Sequence, residues 1–164
     1  LHDAVVACAP GFAPRLKLKW PNDVLLDGRK LSGMLIEAES QPRFSVAIGI
    51  GVNCVSHPAD TDYGATDLRT NDISVSAEEL LALLAAAMKV RLAQWAAGAS
   101  FAGIRADWLA RAASLGETIL VRLPERQVTG TFEGIDADGR LLIVTQDRTT
   151  ETIAAGDVFT LGAR

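Results

Sequence analysis

Residues 44–53 alternate with a period of two: Val46, Ile48, Ile50 and Val52 fall on one parity, and Ala47, Gly49, Gly51 and Asn53 on the other. That period belongs to a β-strand and not to a helix. The first set predicts a face turned toward a core. The second is almost bare of side chains until Asn53. Glycine weakens a strand interior and often marks the close approach of a ligand or of another backbone. A chain containing this strand folds around a sheet with one apolar face and one bare face. The bare face is either a shelf for a flat ligand or a surface for close packing against another strand or helix, and the residues alone leave both readings open.

The stretch before it also reads as sheet. Residues 1–9 predict a helix ended by Pro10 and Gly11. Leu16, Leu18 and Trp20 then alternate with Arg15, Lys17 and Lys19, a half-buried strand with a basic face. Pro21, Asn22 and Asp23 break it, residues 24–26 resume extended structure, and Asp27-Gly28 is a hairpin turn signal before a returning strand over 31–37. A further turn is expected at Gln41-Pro42. Residues 56–72 are polar and read as a long loop, of the kind often tied to function in compact domains.

Ser76 and Glu79 form a capping-box pattern that opens a helix over 76–97. Its stripe of Leu80, Leu84, Met88, Leu92 and Trp95 reads as a core face. Ser100 is placed to cap a second helix, with Phe101, Ile104, Trp108 and Ala112 inward, ending near Gly116. From Glu117 onward five short β-rich runs separated by turns, including 136–139, predict a small barrel. The expected division is therefore 1–116 and 117–164.

Composition narrows the function classes. The 164-residue chain carries a net charge of −4, so a strongly basic nucleic-acid binder is not expected, and the terminal segment 117–164, with five Arg and eight acidic residues, argues the same way. The longest apolar run, 80–88, stops at Lys89 and reads as too short for a bilayer. Cys8 and Cys54 lack metal-site spacing and read as buried free thiols suited to a reducing compartment. The chain uses four lysines against twelve arginines, and three of the four are Lys17, Lys19 and Lys30. Residues 15–30 hold five basic and two acidic side chains inside an acidic chain. Either a compact ammonium is needed there or the cluster is a solvated strand face.

These residues suggest a chemistry. Ammonium groups suit phosphate and carboxylate oxygens. A carboxylate such as Asp23 suits Mg²⁺ bound together with substrate phosphates. A glycine-lined strand ending in Asn53 lies downstream. Such a set can align an acid with a nucleoside triphosphate by positioning and electrostatics. No Gly-x4-Gly-Lys-Ser/Thr phosphate loop occurs.

The run Lys19-Trp20-Pro21-Asn22-Asp23, followed by Gly28-Arg29-Lys30-Leu31-Ser32-Gly33 and by Gly49-Ile50-Gly51-Val52-Asn53, closely resembles the biotin–protein ligases, named biotin–[acetyl-CoA-carboxylase] ligases. The resemblance covers nearly the whole chain. It implies an α+β fold: part of a class II aminoacyl-tRNA synthetase-like catalytic domain with a mixed sheet, then an SH3-like C-terminal β-barrel. It implies an enzyme that joins biotin to ATP, giving biotinyl-5′-AMP and pyrophosphate, and passes the biotinyl group to a lysine of a biotin carboxyl carrier protein. Lys30 matches the catalytic lysine at the biotin carboxylate and the adenylate. Gly33, Gly49 and Gly51 match the biotin-binding backbone. Lys19, Asn22, Asp23 and Asn53 match the nucleotide side, with Asp23 also the expected Mg²⁺ ligand.

The resemblance further implies a cytoplasmic protein, with a homodimer as one form, acting without nucleic acid or membrane. A Gly-Arg-Gly-Arg-x-Gly-type loop of the family does not occur in the chain and is expected upstream of Leu1, so an N-terminally shortened ligase with exposed apolar sheet is the expectation. A lipoate-type cofactor ligase and a non-catalytic biotin- or carrier-binding module are the alternatives. Lys17, His2 and His57 read as surface residues, and residues 56–72 are expected to become ordered when ligand binds.

Overall fold

The computed structural model describes residues 1–40, 44–59, 61 and 63–161. The expected turn at Gln41-Pro42 lies outside them. The chain divides into two compact units, Leu1–Lys17 with Asn22–Ala87 and Leu18–Pro21 with Met88–Arg164.

A helix α1, His2–Cys8, leads into a four-stranded sheet of β1 (Leu16–Lys19), β2 (Asp23–Leu26), β3 (Arg29–Glu39) and β4 (Ser45–Val52), in the order β1-β2-β3-β4. The sheet was expected to be mixed. The β2/β3 and β3/β4 ladders are antiparallel, and parallel pairing is confined to single bridges, Leu18 with Ala112 and Lys30 with Ala65. Asp27 and Gly28 take φ of 49° and 75°, the left-handed pair that a two-residue hairpin turn requires and that glycine adopts without strain. Ala4, Val5, Leu16, Val24, Leu26, Leu31 and Leu68 are fully enclosed in the first unit.

The apolar parity of β4 is not the core face its alternation predicts, but agrees with the exposed apolar sheet that was also expected. Val46 and Ile48 are exposed, as are Leu35 and Ile36 on β3. The alternation is present, but among the described residues only its Ile50 and Val52 end is half-buried.

Helix α2, Ala77–Trp95, begins with the expected capping box: the Ser76 amide donates to Glu79 Oε2 at 2.9 Å and the Glu79 amide to Ser76 Oγ at 3.1 Å. Its stripe is not the core face it was read as. Leu80 is buried, whereas Leu92 and Trp95 are exposed. The apolar run is also longer than 80–88 suggested. Ala77–Gly98 spans 22 residues and holds a window of mean hydropathy 1.4 that runs on past Lys89 and Arg91, long and apolar enough to cross a membrane by length and composition alone.

In the second unit, α3 is Phe101–Leu109. Ser100 precedes it without a side-chain cap bond, and the helix stops well short of Gly116. Strands β5 (Thr118–Arg122), β6 (Gln127–Ile135), β7 (Leu141–Val144), β8 (Thr150–Ile153) and β9 (Asp157–Thr160) form one antiparallel sheet in the order β8-β7-β6-β5-β9. The barrel read from the strand density is thus an antiparallel sheet with β8 and β9 at its ends. The core gathers Ile119, Val121, Phe132, Leu141 and Ile143 around Trp20, whose indole N–H donates to Gly139 O at 3.0 Å. Trp108 meets Phe132 edge-on at 6.4 Å between ring centroids.

Candidate functional site

The β2/β3 hairpin carries the central pair. Asp23 stands opposite Gly33, Val24 opposite Ser32, and Leu25 opposite Lys30, so Leu31 is an extra residue on β3. Without that bulge Leu31 would face Leu25, and Lys30 would point to the other side of the sheet. With it, Lys30 joins the parity of Asp23 and Gly33, and Lys30 Nζ lies 2.7 Å from Asp23 Oδ1. The side chains are 27% and 11% exposed, so the pair is sheltered but reachable. Gly33 leaves it room: a Cβ there would sit 3.2 Å from Lys30 Cε and 3.3 Å from Asp23 Oδ1.

The β3/β4 ladder sets Gly33 opposite Gly51 and Ser32 opposite Val52. Lys30, Ser32, Gly33, Gly51, Asn53 and Tyr63 line an open cleft of about 370 Å³, with Pro58 and Ala65 at its wall. The Tyr63 ring centroid is 4.9 Å from Lys30 Nζ. A Cβ on Gly49 would come no nearer than 3.8 Å to Leu35, and one on Gly51 no nearer than 3.9 Å to Gly33 O, ordinary contact distances. Packing within the protein therefore does not demand glycine at either place, and of the two readings of the bare face the structure favours open space. Gly49 lies outside the cleft lining. Ser32 Oγ is buried with no hydrogen-bond partner among the described residues.

Asn53 binds backbone. Its side-chain amide donates to Thr66 O at 2.9 Å and Lys30 O at 3.4 Å, and its backbone N–H to Leu31 O at 3.0 Å. It ties the end of β4 to the start of β3 and to the loop beyond. That loop is built by Asp67, a residue the sequence reading passed over. Asp67 Oδ1 accepts from the Thr70 amide at 2.7 Å, and Oδ2 lies 2.6 Å from His57 Nδ1. The Thr70 amide first, with His57 adding to it, holds the Asp67 carboxyl down at about 2. Asn71 Nδ2 donates to Thr66 Oγ1 and Asp67 O, both at 2.8 Å. His57, read as a surface residue, is half-buried in this pair. His2 is also more enclosed than expected, with 12% of its side chain exposed beside Asp3.

Other residues expected at the site are spent locally. Asn22 donates its side-chain amide to Met34 O, and its carbonyl accepts from the Met34 amide at 2.9 Å. Lys19 belongs to the second unit, where its Nζ is 6.0 Å from the Phe159 ring centroid. Lys17 is exposed. Arg15 is bound by the Asp27 carboxylate. Of the basic cluster, Arg15 and Lys19 are held elsewhere and Lys30 lines the cleft. Cys8 and Cys54 are free and only half-buried. A larger cleft of about 470 Å³ runs past Thr129, Thr145 and Glu151 in the second unit. Arg126 already holds Glu151 there, so size does not choose the site; the charge pair does.

Comparison with known proteins gives the same outline. The family model described as "Biotin/lipoate A/B protein ligase family" matches residues 14–53, and "Biotin protein ligase C terminal domain" matches 114–161. The chain is 44% identical to a biotin–[acetyl-CoA-carboxylase] ligase of Paracoccus denitrificans, over 97% of this chain and 68% of that protein. It is 38% identical to one of Mycobacterium tuberculosis, over 88% of this chain and 53% of that protein. Among solved structures, a biotin protein ligase from Aquifex aeolicus in complex with biotin and ATP superposes with a TM-score of 0.75 at 25% identity, covering 95% of this chain and 66% of that one. Another structure of the Aquifex aeolicus ligase gives 0.79 at 24% identity over 96% and 71%.

Proposed function

The chain belongs to the biotin protein ligase family, and from that premise we propose that the cleft at Lys30 is where biotin and ATP meet. The reaction is ATP-dependent attachment of biotin through biotinyl-5′-AMP. In the first step a biotin carboxylate oxygen attacks the α-phosphorus of ATP and pyrophosphate leaves. In the second, the amine of an acceptor lysine attacks the biotinyl carbonyl and AMP leaves. Negative charge crowds the carboxylate and the α-phosphate in both steps, and a pre-placed ammonium lowers its cost.

The observation that carries this reading is Lys30, which lines the cleft beside Gly33 and is held by Asp23 at 2.7 Å. Asp23 holds the Lys30 ammonium in place before substrate arrives, so little reorganisation remains when an anion takes its place. Gly33 and Gly51 supply a floor without side chains, on which a flat bicyclic ligand lies against backbone. Asn22 and Asn53 act on the nucleotide side by shaping the backbone around Lys30, and Lys19 and Gly49 are secondary to it. Residues 1–116 carry the chemistry and 117–164 form the C-terminal domain. The acceptor is a lysine of a biotin carboxyl carrier protein, and the setting is the cytoplasm.

Mg²⁺ enters this proposal as part of the ATP substrate. Asp23 is committed to Lys30, and no cluster of three or more His, Cys, Asp or Glu able to hold a metal occurs among the described residues. The residues present therefore do not fit a metal held by the protein before ATP arrives, and no step is routed through it.

The test is pyrophosphate release from ATP with biotin or lipoate, and transfer of labelled biotin to a carrier domain. Biotin-dependent release with transfer, lost in Lys30→Ala, is the expected result. Lipoate-dependent release or wild-type transfer by Lys30→Ala overturns it.

A further inference from the structure

Among the ionisable contacts of the first unit that the proposed chemistry leaves unused is the His57–Asp67 pair. Asp67 has 3% of its side chain exposed and both carboxylate oxygens engaged, one by the Thr70 amide and the other by His57 Nδ1 at 2.6 Å. A carboxylate held by a backbone amide stays ionised and attracts a donor strongly. The Asp67 end of the loop is stitched to its surroundings. Lys30 donates its amide to Gly64 O at 2.8 Å, Thr66 donates to Lys30 O at 3.0 Å, and Leu68 donates to Asn53 O at 3.0 Å. The His57 end reaches that stitched segment through its imidazole. Pro58, at the wall of the cleft, follows His57 directly, and Tyr63, whose ring stands by Lys30 Nζ, lies between His57 and Asp67.

We propose that His57 is a positioning residue of this enzyme: its hydrogen bond to Asp67 sets Pro58 and Tyr63 against Lys30 and so decides how tightly the cleft takes its small-molecule substrates. The inference rests on the ligase reading of the cleft. Neither His57 nor Asp67 lines the cleft, so the pair acts through the wall it holds. Losing the bond lets the wall sample other arrangements, and apparent affinity falls with the fraction of chains in the competent one. The Lys30–Asp23 pair is untouched, so the chemical step keeps its rate and the loss falls on KM.

The experiment compares the full chain with His57→Ala and His57→Asn, well below their melting midpoints. It reads KM for biotin and for ATP, kcat for pyrophosphate release, and biotin affinity by calorimetry. The asparagine side-chain nitrogen can stand where Nδ1 stands, so it is the conservative variant. His57→Ala is expected to raise KM for at least one substrate about tenfold at nearly unchanged kcat, and His57→Asn to restore most of it. Wild-type KM values in His57→Ala, equal losses in both variants, or a fall in kcat alone overturns the inference while the ligase reading stands. A wild-type chain that neither binds biotin nor releases pyrophosphate overturns the ligase reading, and this inference with it.

Discussion

Lys30 and Asp23 share a face of the sheet because Leu31 is an extra residue in β3. The bulge turns Lys30 onto the parity of Asp23 and brings Nζ to 2.7 Å from Oδ1. Lys30 then borders a cleft lined by Gly33 and Gly51, with Asp23 behind it.

Gly33 and Gly51 are expected to differ when each is replaced by alanine. A Cβ on Gly33 would press on the ion pair at 3.2–3.3 Å, whereas one on Gly51 would meet only Gly33 O at 3.9 Å. Gly33→Ala displaces Lys30 and lowers kcat/KM for biotinyl-adenylate formation by about a hundredfold. Gly51→Ala folds with an unchanged melting midpoint and raises KM for biotin, because the methyl occupies ligand space. Steady-state pyrophosphate release with differential scanning calorimetry checks both. Equal effects of the two substitutions on kcat would refute the distinction.

Ser32→Ala is expected to leave stability unchanged or raise it by about 1 kcal/mol, since it removes a buried hydroxyl without a partner. Urea denaturation measures this. A loss of more than about 1 kcal/mol would mean that the hydroxyl makes a bond that Ser32 lacks in this structure.

Trp20 sits inside the motif that marks the site, yet it is 6% exposed and packed in the core of the second unit. Trp20→Ala is expected to cost about 3–5 kcal/mol, whereas Lys30→Ala should leave stability nearly intact. Chemical denaturation of the two variants separates the roles. A fully stable Trp20→Ala chain would contradict the packing account.

Asp67 gives an acid limit. Its carboxyl is lowered from 3.8 to about 2 in the folded chain. A depressed folded value means that at this group the folded chain binds fewer protons than the unfolded chain, so its stabilisation is present above the unfolded value of 3.8 and is lost as pH falls through about 2. The melting midpoint should drop across that window, and the part of the drop due to this group should vanish in Asp67→Asn, which is also less stable at pH 7. Thermal melts of both chains between pH 2 and 7 decide it. Parallel pH profiles would count against the assignment.

Local chemistry determined much of this protein from sequence alone. Period-two patterning located β1 and β4, and the Asp27-Gly28 turn signal with β-rich runs between turns located β2, β3 and the five strands of the second unit. Asp27-Gly28 supplied the positive-φ pair of the hairpin, and Ser76 with Glu79 supplied both halves of a capping box. Such features depend on residues within a few positions of one another. The run containing Lys19, Asn22, Asp23, Lys30 and Asn53 was legible for the same reason, as a spaced motif.

Tertiary structure decided the rest. Pairing register inserted Leu31 as a bulge, buried both Leu31 and Ser32 against the alternation, and put Lys30 beside Asp23. Contacts across the chain drew Trp20 to Gly139, far away in sequence, and gave His57 a buried carboxylate ten residues on, across an irregular loop without periodicity. Coverage, which a stripe of apolar residues cannot guarantee, left Leu92, Trp95, Val46 and Ile48 exposed. A sequence sets what each residue can do to its near neighbours. Which face is covered and which charge meets which is set by how distant segments pack, because burial and pairing energies belong to contacts and not to residues.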